Sequence, residues 1–125
     1  MEIVITQWGL DSYLELKAQG AFQSFEYSRR IRPDILLLKI YPNHPKFLQS
    51  KFWSFVIQNG YKMKWHNMGN GKNQIRLTVA IFGTSYLCEA YVKQNAKQEA
   101  RFLARFKTHL QLIRMERFTE KGKLS

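Results

Sequence analysis

Between Tyr61 and Lys93 the apolar residues recur at every second position, a spacing that suits extended strands. Tyr61, Met63 and Trp65 alternate with Lys62, Lys64 and His66; Ile75, Leu77, Val79 and Ile81 alternate with Gln74, Arg76 and Thr78. Tyr86, Cys88, Ala90 and Val92 alternate with Leu87, Glu89, Tyr91 and Lys93. Met68-Gly69-Asn70-Gly71 and Gly83-Thr84-Ser85 separate the runs with turn chemistry, which predicts an antiparallel meander over Tyr61–Trp65, Gln74–Phe82 and Tyr86–Lys93.

Around the meander the period is helical. From about Ala96 to Phe118, Glu99, Leu103, Phe106, Leu110 and Ile113 share one side of a long final helix. Upstream, Ile3-Val4-Ile5-Thr6 reads as a short strand. A helix follows with Leu10, Tyr13, Leu14 and Lys17 on one face and Gly20 near its end. A second runs from about Ser24 to Ile40, kinked or started at Pro33, and Tyr41-Pro42-Asn43-His44-Pro45 ends it. Residues 44–59 fit none of these patterns. The predicted order is β-α-α-β-β-β-α, an α+β fold in which one antiparallel sheet carries its helices on one face. The 125 residues suit one domain, 1–125.

Charge narrows the partners. Residues 1–61 hold seven basic and five acidic side chains; residues 62–125 hold thirteen and four. A field this uneven attracts polyanions, nucleic acid first among them. A single cysteine, Cys88, excludes a disulfide framework and a cysteine zinc site. Nucleotide-loop, nucleophile-elbow and zinc-helix motifs are absent. The N-terminus lacks a signal-peptide pattern and no run is long enough to span a bilayer, so the expected setting is cytoplasmic, with no membrane partner.

The alternation collects the charge on one surface: Lys62, Lys64, His66, Arg76, Glu89, Tyr91 and Lys93. Lys97, Arg101, Arg105 and His109, four apart on the final helix, extend it or form an ordinary solvated face. Cations on a rigid strand suit RNA cleavage, in which attack of a ribose 2′-OH on its neighbouring phosphate builds charge on phosphoryl oxygens. His66, Glu89 and Tyr91 are the candidates for proton transfer, Tyr91 also for stacking a base. Arg76 is the candidate stabiliser of the phosphoryl charge, with Lys62, Lys64 and Lys93 on neighbouring phosphates. The chemistry needs no metal or cofactor, and His44, His66 and His109 lie far apart.

The element order, with Tyr61-Lys62-Met63-Lys64, Ile75-Arg76-Leu77 and Ala90-Tyr91-Val92-Lys93 followed by Lys97 and Arg101, resembles the RelE/ParE toxin superfamily, in particular its HigB-like, phage-derived branch. The resemblance implies a toxin of a type II toxin–antitoxin system, an endoribonuclease that cuts mRNA on the ribosome and is neutralised by a cognate antitoxin, often a helix-turn-helix protein. It assigns the grip and cleavage of mRNA to Lys62, Lys64, Arg76 and Lys93 or Arg101. Many members carry a tyrosine near the C-terminus; here Phe102, Phe106 and Phe118 occupy that stretch, with no tyrosine after Tyr91. The alternative is a non-catalytic member of the same fold, either a ParE-like gyrase inhibitor or a basic nucleic-acid-binding module.

Overall fold

A computed structural model describes residues 1–124. The chain runs β1 (Ile3–Thr6), α1 (Gln7–Ala18), a helical stretch α2 over residues 24–40, β2 (Trp53–Ile57), β3 (Gly60–Asn67), β4 (Asn73–Ile81), β5 (Ser85–Val92), α3 (Ala96–Arg114) and β6 (Glu120–Leu124). The fold is α+β, built on a six-stranded mixed sheet ordered β2-β3-β4-β5-β1-β6. The meander is present and antiparallel, with Lys62 opposite Thr78, Lys64 opposite Arg76, and Arg76 opposite Tyr91.

Three expectations need correction. The sheet is not wholly antiparallel, because β1 lies parallel to β5 and antiparallel to β6. It also has two strands beyond the expected four: β2, from the unassigned 44–59 segment, pairs with β3, and β6 pairs with β1. Finally, helices cover both faces. Met63, Ile75, Leu77, Val79 and Leu87 pack with Leu16, Ile31, Ile35 and Leu38 of α1 and α2. The next residues along the strands, Ala80 and Cys88, pack with Phe106, Leu110 and Ile113 of α3. Successive strand residues point to opposite faces, so the two cores share the sheet between them.

Local chemistry sets the elements. Thr6 caps α1, its hydroxyl accepting from Gly9 N–H at 3.2 Å and donating to Leu87 O at 2.7 Å. Gly9 lies so close to β5 that a Cβ there would stand 2.6 Å from Leu87 O. The buried stripe of α1 is therefore the small residues Gly9 and Ser12 followed by Leu16, while Leu14, expected to face inward, is 51% exposed. Ser12 Oγ accepts from Ala90 N–H at 2.9 Å, occupying a β5 donor beyond the reach of β1.

In α2 the kink takes the form of a π turn over Tyr27–Ile31, with Arg32 N–H on Tyr27 O, immediately before Pro33. The buried Glu26 accepts from Gln23 N–H at 2.8 Å and from Gly69 N–H at 3.0 Å, tying α2 to the β3–β4 turn. That turn is left-handed at Asn67, Gly69, Asn70 and Gly71, as its composition predicts. The last helix stops at Arg114, four residues early. Glu116 adopts φ 56°, and Glu116 and Arg117 return their N–H groups to Ile113 and Leu112, which closes the helix end. No described helix is long and apolar enough to cross a membrane.

Candidate nucleic-acid interface

β3, β4 and β5 set Lys62, Lys64, Arg76, Tyr91 and Lys93 on the face that α3 partly covers. Register alone makes neighbours of Lys64, Arg76 and Tyr91, which stand directly opposite one another on three adjacent strands. Lys93 lies just past the end of β5, where its N–H bonds Gln74 O at 2.8 Å.

A carboxylate the sequence reading left without a role sits at the centre. Glu99, in the first turn of α3 and 6% exposed, accepts from the Tyr91 hydroxyl at 2.6 Å. Its other oxygen lies 3.1 Å from Lys62 Nζ and 3.7 Å from Lys93 Nζ. Burial works to raise the Glu99 pKa, but hydrogen bonds from Tyr91 and Lys62 and the charges of Lys62 and Lys93 outweigh it, leaving the group below its ordinary value. Burial, then the bond and charge of Glu99, push the Tyr91 phenol upward.

Arg76 differs from its neighbours. It is 6% exposed, and no carboxylate lies within ion-pair distance of it among the described residues. Among the described residues its Nη1 donates only to the adjacent Ile75 O at 3.2 Å, and its buried Nε has no partner. Burial lowers its pKa, with Glu99 and Tyr91 opposing, and a guanidinium still remains charged at neutral pH. Burial also lowers Lys64, helped by the nearby charges of Lys62 and Arg76, while Lys64 Nζ rests on Ser50 O at 2.8 Å.

The proton-transfer candidates fall elsewhere. His66 has both ring nitrogens engaged, Nδ1 with Gln74 Oε1 at 2.9 Å and Nε2 with Lys51 O at 2.8 Å. Glu89 is held in the fork of Arg105, at 3.2 and 2.9 Å, and makes no pair with Arg76. A bulge in β5 between the partners of Leu77 and Val79 breaks strict alternation at Cys88–Glu89 and leaves Tyr91, not Glu89, opposite Arg76. The same bulge sends Leu87 inward toward α1 and α2, where outward was expected, and moves Tyr86 and Cys88 to the α3 side.

Tyr91 is on the expected face but cannot stack a base. It is 2% exposed and its ring is already stacked on Phe102, centroids 4.3 Å apart. Arg105 lies over the same Phe102 ring at 4.8 Å. Lys97 and Arg101 are exposed on α3 and make no hydrogen bond or ion pair with the cluster among the described residues. His109 leaves the helical ladder entirely. It is buried, stacked on Trp8 at 4.0 Å, and burial, then Arg105, lowers its pKa to about 4.

The arrangement can hold an anion. It combines a rigid, unpaired guanidinium with flanking ammonium groups, two of them held in place by a buried carboxylate. No three His, Cys, Asp or Glu side chains converge as a metal site among the described residues. Comparison with protein-family models, with curated proteins and with solved structures yields no match to this chain.

Proposed function

We propose that the protein is the toxin of a type II toxin–antitoxin system and cleaves mRNA through attack of a ribose 2′-OH on the adjacent phosphate. The observation that carries the reading is Arg76, a buried guanidinium without a carboxylate partner at the centre of a basic sheet face. Burying a cation unpaired is costly, and a phosphate would supply what the free protein lacks. In this reading Arg76 stabilises the phosphoryl oxygens as charge builds on them. Lys62 and Lys93 hold neighbouring phosphates. The 2′-oxygen bonds to phosphorus as the bond to the 5′-oxygen breaks, leaving a 2′,3′-cyclic phosphate and a 5′-hydroxyl. Lys64, whose ammonium the surroundings make easier to deprotonate, gives its proton to the 5′-oxygen. The 2′-OH proton passes to water, because His66, Glu89 and Tyr91 are engaged with other groups. Action on the ribosome and neutralisation by a helix-turn-helix antitoxin belong to the same proposal.

That engagement also favours a second reading, a non-catalytic nucleic-acid binder or enzyme inhibitor on the same face. Induced expression with mapping of transcript 5′ ends separates the two. Cleavage predicts growth arrest with new 5′ ends in mRNA, and Arg76→Lys then loses roughly a hundredfold or more, nearly as badly as Arg76→Ala. An Arg76→Ala variant that cleaves RNA and arrests growth like the parent overturns the assignment. Growth arrest without new 5′ ends supports the second reading.

A further inference from the structure

Beside the basic sheet face, along the last residues of β3, lies a second polar hollow of about 280 Å³, whose walls include Arg29, Arg30, Lys46, Lys51 and Lys64. Among the described residues its only carboxylate is Asp34, which takes Lys46 Nζ at 2.6 Å and Trp65 Nε1 at 3.0 Å. Asp34 is therefore spent, and Arg29, Arg30, Lys51 and Lys64 face the hollow with no ion-pair partner among the described residues. Two of these cations are held by backbone carbonyls: Arg30 Nη2 donates to His66 O at 2.8 Å and Lys64 Nζ to Ser50 O at 2.8 Å. A carbonyl fixes the side chain without cancelling its charge, so the cations stay available to an anion.

The hollow joins the first site through one residue. Lys64 lines it and is also the direct cross-strand partner of Arg76. His66 stands two residues further along β3, roughly 7 Å by strand geometry, and its carbonyl anchors Arg30. A chain of phosphates held at Arg76 and continuing past Lys64 would reach Arg30 and Arg29 on α2 next. An acidic protein segment is the less favoured occupant, because the cations run on from the phosphate site and two of them are guanidinium forks suited to phosphate oxygens.

We propose that this hollow is a second phosphodiester-binding subsite, which takes the RNA backbone beyond the cleaved linkage and so makes binding depend on RNA length. The inference rests on the RNA-binding reading above.

The test uses the full chain and the variant Arg29→Ala/Arg30→Ala/Lys51→Ala. All three positions are exposed and outside the Arg76 cluster. Binding of a 20-nucleotide single-stranded RNA and of a trinucleotide is measured from 50 to 200 mM salt. For the long RNA, the log–log salt slope of the variant should be shallower by about 2, at roughly 0.7 for each of three lost contacts. Its affinity at 50 mM salt should fall about tenfold or more. Trinucleotide binding should match the parent, as should the melting temperature. An unchanged slope on the long RNA, with the parent binding it normally, overturns the subsite and leaves the Arg76 site standing. A parent that binds neither RNA overturns both. A nucleoside monophosphate that binds parent but not variant, with long-RNA slopes equal, reassigns the hollow to free nucleotides. A poly-glutamate peptide that binds the parent as tightly as the long RNA, and loses as much in the variant, reassigns it to an acidic protein.

Discussion

Arg76→Met should stabilise the free protein while abolishing its activity. Methionine keeps most of the side-chain length and removes the charge. In the native structure the guanidinium is 6% exposed, its Nε has no hydrogen-bond partner and no carboxylate pairs with it. Leaving a charged group in that state costs about 1–3 kcal/mol beyond what its single bond to Ile75 O returns. Replacing it by an apolar chain of similar size recovers about that amount. With a urea m-value of about 2 kcal/mol/M, the middle of the usual range, the unfolding midpoint should move up by about 0.5–1.5 M at unchanged m. Equilibrium urea denaturation followed by tryptophan fluorescence reads the shift, and RNA cleavage or binding is measured on the same samples. A residue kept for stability behaves the opposite way. If Arg76→Met lowers the unfolding free energy by about 1 kcal/mol or more at constant m, then Arg76 is a structural strand residue and the anion site loses its support.

Leu110→Ala should cost about 2–5 kcal/mol, because Leu110 is 6% exposed in the core under α3. Arg105→Ala, whose fork to Glu89 is largely exposed, should cost at most about 1 kcal/mol, and comparable losses in thermal unfolding would mean that the helix faces are misassigned. Stability should also rise with pH between about 4 and 6.5 through His109. The unfolded chain takes up that proton near 6.5 and the native one only near 4, so the unfolded state binds more protons across the window. The contribution is on the order of 3 kcal/mol, and His109→Gln should flatten this part of the pH profile in urea titrations; an unaltered profile refutes it.

The strand alternation was legible because Ile75, Leu77 and Val79 face a core with no interruption. The α3 face of the sheet was not, because Ala80, Cys88 and Tyr86 are apolar too, and a two-sided sheet erases the contrast that alternation reads. The bulge at Cys88–Glu89 puts the first half of β5, Tyr86 to Cys88, one residue out of phase with the second, which no local residue type announces. β6 has a charged, glycine-containing sequence with little strand propensity. Its pairing to β1 supplies what Glu120-Lys121-Gly122-Lys123 lacks.

On α3, residues spaced by four drift about 40° per step. The line from Lys97 to His109 therefore turns roughly 120°, from solvent into the core. Glu99 was read correctly as inward. Its role was missed because nothing in a linear sequence shows that Lys62, Tyr91 and Lys93 converge on one carboxylate; an acidic residue on the apolar side of a helix beside a basic meander was the available sign.

Glu99 also changes what the basic face has to offer an incoming polyanion. In the free protein Lys62 and Lys93 already own a counter-anion, so a phosphate reaching them displaces an incumbent and inherits its repulsion. For those two lysines, docking is an exchange of partners, with a net gain well below the nominal strength of a lysine–phosphate contact. Arg76 has no partner to relinquish. Most of the discrimination between a bound and an unbound phosphate therefore falls on one guanidinium, and counting positive charges overstates the affinity of the surface while understating its selectivity.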